Sequence, residues 1–150
     1  MINKVNSRDM DIVKLLSLVT AESKVEPVLE EYLRSPNKDL YVKQSNNVIK
    51  GCVGVDNSEE ELLVICHIAV KKIYQGQGNA SEMINFVNEI YKPSRIIAET
   101  DSEAVGFYQK YGFEINSLGE KYPNVERFRC IFMNNHVVKN HQQGNKNHFC

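Results

Sequence analysis

Apolar and polar positions divide the chain into short segments of two different periods. Between Leu62 and Val70 every position but one is apolar: Leu62, Val64, Cys66, Ile68 and Val70 alternate with Leu63, Ile65 and Ala69, and His67 alone is polar. That pattern predicts a central strand covered on both sides, because a strand open to water on one face carries a polar residue at every second position. From Asn79 to Tyr91 the period changes to about 3.6, with Ala80, Met83, Ile84, Val87 and Ile90 on one face, which predicts a helix that Pro93 closes. Upstream, a short strand is expected over residues 2–5. A helix over 7–20 follows, capped by Ser7 and striped by Met10, Val13, Leu16 and Leu18. A second helix over 25–33 carries Val28, Leu29, Tyr32 and Leu33 and stops at Ser35-Pro36-Asn37.

Two strands, 40–44 and 48–55, read as a hairpin turned at Asn46-Asn47, a pair that accepts the positive φ of a tight turn. Downstream of the long helix come a strand over 95–100, a short helix over 103–111 ended by Gly112, and strands over 113–118 and 125–133. Hairpins in the first half and alternating strands and helices in the second predict an α/β (mixed α+β) fold, a mixed sheet with helices on both faces. Residues 1–133 are expected to form one domain. Residues 134–150, rich in Asn, Gln and His without apolar period, read as a flexible polar tail.

Composition narrows the classes. At 150 residues, 42% apolar and 25% charged, the chain has the size and apolar content of one globular domain. Eighteen basic against nineteen acidic residues leave a net charge of -1, so no global field draws it to nucleic acid or an anionic membrane, and neither is expected as a partner. Lys4, Arg8, Asp9, Asp11 and Lys14 interrupt the first twenty positions, which reads as a cytoplasmic protein without signal or membrane span. Cys52, Cys66, Cys130 and Cys150 lie far apart with no C-x-x-C pair, which reads as reduced thiols, three of them in strands. His136, His141 and His148 lack an accompanying carboxylate or thiolate pattern, so no metal is expected.

The candidate chemistry lies where the central strand gives way to the long helix, at Gln75-Gly76-Gln77-Gly78-Asn79-Ala80. A helix start offers unpaired N–H groups and the positive end of its dipole, and two glycines let the main chain come close to a phosphate or pyrophosphate. A phosphate loop of the Gly-Lys-Ser/Thr kind is ruled out by Asn79 after Gly78, and a dinucleotide fingerprint by Ser81 in place of its third glycine or alanine.

The same six residues resemble the Gln/Arg-x-x-Gly-x-Gly/Ala signature of the GNAT acetyltransferase superfamily. The run from Asp101 to Phe113, with Ala104, Tyr108, Lys110 and Gly112, is similar to that family's Asn-x-x-Ala…Tyr-x-Lys-x-Gly-Phe block. The resemblance covers about residues 40–133. It implies a mostly antiparallel sheet of six to seven strands with one splayed parallel pair, formed by residues 62–70 and 95–100. It also implies that acetyl-CoA enters the gap, its pantetheine arm pairing with the backbone of Ile68 and Val70. Gln75, Gly76, Gln77, Gly78, Asn79 and Ala80 would wrap its pyrophosphate, and Asp101 and Tyr108 would lie near the thiol end. Asp101 stands where the family more often has Asn, keeping the acceptor and losing the amide donor.

The implied reaction is direct attack on the thioester, in a ternary complex, by a small-molecule or peptide amine, the protein acting as monomer or homodimer. The alternative is a non-catalytic acyl-CoA-binding sensor or docking module. Three things are needed: a deprotonated amine, a donor for the oxyanion and a proton for the thiolate. A backbone N–H near Ile68 to Val70, exposed by a bulge as in the family, would meet the oxyanion. Tyr108 is the implied acid, although spacing alone reads Phe107, Tyr108 and Tyr111 as core aromatics. For the base, His67 and Glu99 both stand open, as does a relay through water.

Overall fold

In a computed structural model that describes residues 1–134, the chain forms one seven-stranded sheet of order β1-β2-β3-β4-β5-β7-β6. In chain order the elements are β1 (Ile2–Lys4), α1 (Met10–Leu16), α2 (Glu22–Arg34), β2 (Lys38–Ser45), β3 (Val48–Asp56), β4 (Leu62–Val70), α3 (Asn79–Tyr91), β5 (Arg95–Asp101), α4 (Val105–Tyr111), β6 (Glu114–Tyr122) and β7 (Val125–Met133). Every pairing is antiparallel except β4 with β5, the mixed sheet with one parallel pair that the sequence led us to expect. The β2–β3 turn places Asn46 and Asn47 at φ 52° and 64°, the left-handed pair of a two-residue hairpin.

Strand β4 is apolar on both faces as predicted, but the expected alternation, with Ala69 on the face of Leu63 and Ile65, is reversed beyond a register shift at Cys66. Leu63 and Ile65 join Met83, Ile84, Val87, Ile96 and Tyr108 in a core under α3 and α4. Ala69 joins Leu15, Leu16, Leu29, Tyr32 and Cys52 in a second core under α1 and α2. Burying such side chains from water supplies about 1.5–3 kcal/mol each, which is what holds the helices onto the sheet.

Several local expectations fail for identifiable reasons. Asp9, not Ser7, caps α1, its carboxylate accepting from Asp11 N at 2.8 Å. The helix buries Ile12, Leu15 and Leu16, while Met10 and Leu18 are 53% and 58% exposed. The rival i, i+3, i+4 stripe wins because it is tighter and starts from the better cap. In α3, Ile90 is 47% exposed and the polar Asn79 is buried instead. Helix α4 begins two residues later than expected because the Asp101 carboxylate accepts from Glu103 N and Ala104 N, each at 3.0 Å, and holds a turn there. Cys52 and Cys130 are free and buried, whereas Cys66 is disulfide-bonded, against the reading of reduced thiols.

Asn134 is tied to the domain through Ser94 O and Pro93 O. The rest of the expected tail, with its histidines, lies outside the described residues. No helix among the described residues is long and apolar enough to cross a membrane.

Gly54 in β3 leaves no room for a side chain. A Cβ built on Gly54 would sit 2.0 Å from the Tyr32 hydroxyl oxygen, so α2 can lay that ring on the sheet only over a glycine. Gly54→Ala is expected to destabilise the fold by roughly 1–3 kcal/mol, read as a lower urea midpoint at unchanged m-value.

Candidate active site

The parallel ladder between β4 and β5 is short. It runs Leu62↔Arg95, Leu63↔Ile96, Val64↔Ile97 and Ile65↔Ala98 and then stops, although both strands continue. The cause lies on the other edge of β4, where β3 pairs Gly54 with His67 but Val55 with Ile65. Cys66 is therefore an extra residue, and a bulge of this kind bends its strand. Beyond it, Lys71 N donates to Lys50 O at 2.9 Å. Because main-chain groups alternate along a strand, Ala69 and Lys71 face β3 while Ile68 and Val70 turn theirs into the gap. Gln75 Nε2 donates to Val70 O at 3.1 Å, taking up part of that free edge.

A cavity of about 790 Å³ opens at the gap, walled by Ile68 to Val70, the loop after β4, Asp101, and Phe107, Tyr108 and Tyr111 of α4. Gly76 and Gly78 adopt φ of 77° and 85°, left-handed values that side chains resist. Gly78 starts α3 with no side-chain cap, and the first bond within the helix runs from Glu82 N to Gly78 O. The N–H groups of Asn79, Ala80 and Ser81, in the wall of the cavity, are thus left for an anion. The Asn79 side chain is spent on the loop itself: Nδ2 donates to Tyr74 O at 2.9 Å and Oδ1 accepts from Lys43 Nζ at 2.6 Å.

Of the cofactor residues expected from sequence, Ile68, Val70, Gln75, Gly76, Gly78, Asn79, Ala80, Asp101 and Tyr108 all line this cavity, and Gln77 does not. Gln77 instead reaches back toward Ile73 O at 3.5 Å. Asp101 spends the acceptor it keeps on the turn before α4. Tyr108 is both things the sequence offered. It is 3% exposed and packs edge-on against Phe107 and Phe113, yet it faces the cavity. Burial, helped by the nearby Cys130 and Asp101, pushes its phenol up from the usual value.

The two candidate bases lie outside this cavity. His67 faces the α2 side, in a smaller cavity of about 200 Å³ with Thr20, Lys24, Val28, Glu31, Tyr32 and Lys38. Its Nδ1 is 2.6 Å from the Tyr32 hydroxyl. Burial lowers the His67 pKa, Lys38 lowers it further, and Glu31 opposes. Glu99 on β5 is held by Arg127, with 3.8 Å between carboxylate and guanidinium.

Sequence reasoning missed Tyr32 as the partner of His67, Gly54 as the space for its ring, and Lys43 as the clamp on the loop. It also placed Leu18 in the core, whereas Leu18 and Val19 line the large cavity and are 58% and 42% exposed. Two adjacent apolar residues after the end of a helix were the available signal.

Comparison with known proteins agrees with this fold. The family model described as an acetyltransferase (GNAT) domain matches residues 18–124. No curated protein matches the chain in sequence. An acetyltransferase of Bacillus subtilis in complex with CoA superposes with a TM-score of 0.70 at 20% identity, covering 88% of this chain and 97% of the other. A GNAT family acetyltransferase from Elizabethkingia anophelis with acetyl-CoA bound gives 0.65 at 21%, covering 89% and 97%. The aminoglycoside 6'-N-acetyltransferase from Enterococcus faecium gives 0.74 at 11%, covering 89% and 96%. At these identities the likeness is one of fold.

The depressed His67 pKa carries a sign for stability. Unfolded chains take up this proton near the ordinary value of 6.5 while the folded protein resists it. The contribution is therefore full above about 6.5 and is lost as pH falls through the lower folded value. Urea unfolding at pH 7.5, 6.5 and 5.5 is expected to show a steeper loss for the native protein than for His67→Gln.

Proposed function

The chain belongs to the GNAT acetyltransferase family, and from that premise we propose that the gap between β4 and β5 is where it transfers acetyl from acetyl-CoA to an amine acceptor, a small molecule or peptide. Acetyl-CoA-dependent acyl transfer is the activity of the family. The assignment of atoms is ours, and one observation carries it. The unpaired ends of the parallel strands open directly onto a two-glycine loop and an uncapped helix start.

In this reading the pantetheine amides continue the ladder that β5 leaves, pairing with the main-chain groups of Ile68 and the N–H of Val70, while Gln75 holds the Val70 carbonyl. The pyrophosphate lies on the N–H groups from Gly76 to Ser81, where positive dipole ends and close main-chain approach favour it. The amine nitrogen attacks the thioester carbon in a ternary complex. The carbonyl electrons move onto oxygen, and an N–H of β4 beside the bulge donates a hydrogen bond to the oxyanion. As the oxyanion collapses, the carbon–sulfur bond breaks and the sulfur leaves as thiolate. One proton leaves the nitrogen and one finally joins the sulfur, so none is consumed.

Tyr108 serves the leaving sulfur as a hydrogen-bond donor. Full transfer from a phenol raised above ~10 to a thiolate of conjugate acid near ~8.5 is uphill, so the phenol holds partial charge in the transition state and water delivers the proton. His67 is favoured over Glu99 as the base. Its surroundings keep it neutral, and the tautomer this role requires is the one whose Nδ1–H donates to Tyr32 and leaves the Nε2 lone pair open, whereas Glu99 is engaged by Arg127.

Two measurements test these assignments. Tyr108→Phe is expected to lower kcat in a thiol-release assay by roughly 100-fold while calorimetric CoA affinity stays within about twofold. Retention of full kcat removes Tyr108 from the chemistry. Gly78→Val places a β-branched side chain at positive φ beside the phosphate site and is expected to weaken CoA binding by at least about tenfold.

A further inference from the structure

The small cavity around His67 and the large one at the strand gap are lined by neighbouring stretches of the same two segments. Thr20 lines the first while Leu18 and Val19 line the second, and His67 lines the first while Ile68 lines the second. Ala69, two residues on from His67 and therefore on the same face of β4, lines the large cavity together with Leu18 and Val19, so the small cavity lies beside the gap on the α2 side, opposite the loop that starts α3.

The charges in this cavity are unequal. Lys38 Nζ pairs with the Glu31 carboxylate at 3.0 Å, with the lysine side chain only 16% exposed. Lys24, exposed at its rim, pairs with no carboxylate of the described residues. Tyr32 and His67 are neutral near pH 7, since burial raises the first pKa and lowers the second. One positive charge is left in excess. The volume of about 200 Å³ is several times the ~30 Å³ share of a water molecule, enough for a small functional group and its linker.

We propose that this cavity is the acceptor pocket and that it selects an amine carrying an anionic group, a carboxylate or a phosphate, with Lys24 as the unneutralised counter-charge and Lys38 beside it. The proposal rests on the acetyl-transfer reading and adds the substrate class. A polycationic amine meets like charge in the same place. Binding of an anion also offsets the pull of Lys38 on His67, so the imidazole becomes a stronger base when the acceptor is seated.

The test uses pairs of amines that differ in one charge, assayed by thiol release at saturating acetyl-CoA: glycine against glycinamide, phosphoethanolamine against ethanolamine, and a polycationic aminoglycoside. Calorimetry of CoA runs alongside. At least one anionic member is expected to exceed its neutral partner by roughly tenfold or more in kcat/KM, the size of one charge-assisted hydrogen bond, and the two pairs tell carboxylate from phosphate. Lys24→Gln is expected to bring that ratio toward one mainly through KM for the amine, and Lys24→Glu to turn preference toward the cationic substrate, with KM for acetyl-CoA unchanged in both. Preference of the native protein for the neutral or polycationic amines overturns the proposal, as does a ratio that neither variant moves. Either result leaves acetyl transfer itself standing. Absence of any heat on CoA titration overturns acetyl transfer, and this proposal with it.

Discussion

A hydrogen-bond ladder that ends too early organises this molecule. Strands β4 and β5 pair over four residues and then separate because Cys66 is inserted against β3 and bends β4 away. Main-chain groups left without partners in a folded interior cost about 1–3 kcal/mol each, so such an opening persists only where something else satisfies them. Here Gln75 takes one of the carbonyls, and the remainder faces a cavity large enough for solvent or a ligand arm. The rest of the fold serves to keep this break in place.

That support is divided between two cores. One holds α3 and α4 against the lower face of β4 and β5, fixing the helix start that faces the gap and setting Tyr108 among Phe107 and Phe113. The other holds α1 and α2, and with them the Tyr32 ring over Gly54. Lys43 ties the sheet to the start of α3 by reaching Asn79 and Glu82 together. Rigid helices on both sides of an incomplete ladder give the site two separate approaches, and the electrostatics of the two differ. The loop side presents neutral N–H donors, while the α2 side presents lysines and an uncharged imidazole.

Much of this was legible along the chain. The run of β4, apolar on both faces, could only be an interior strand, and the switch from period two to period 3.6 located α3 to the residue. Gly76 and Gly78 mark a backbone that needs left-handed φ, which is a local property and so readable locally. Element ends were less legible where side chains compete for the same N–H groups, as when Asp9 displaced Ser7 and Asp101 delayed α4. The stripe of α1 was misread because Met10, Leu18 and the true set Ile12, Leu15 and Leu16 are equally apolar.

By itself, then, the sequence determined what depends on neighbours along the chain: the order of elements, the mixed sheet, the two-glycine turn and the family motifs carried on it. Only the tertiary structure decided what depends on distance across it. The bulge needs β3 to define the register against which Cys66 is extra, the His67–Tyr32 contact joins residues 35 positions apart, and Leu18 is exposed because a cavity rather than a core lies beside it. The physical reason is that periodicity reports which face of an element is apolar, whereas a cavity and its charges arise from several elements meeting, and no single segment carries that information.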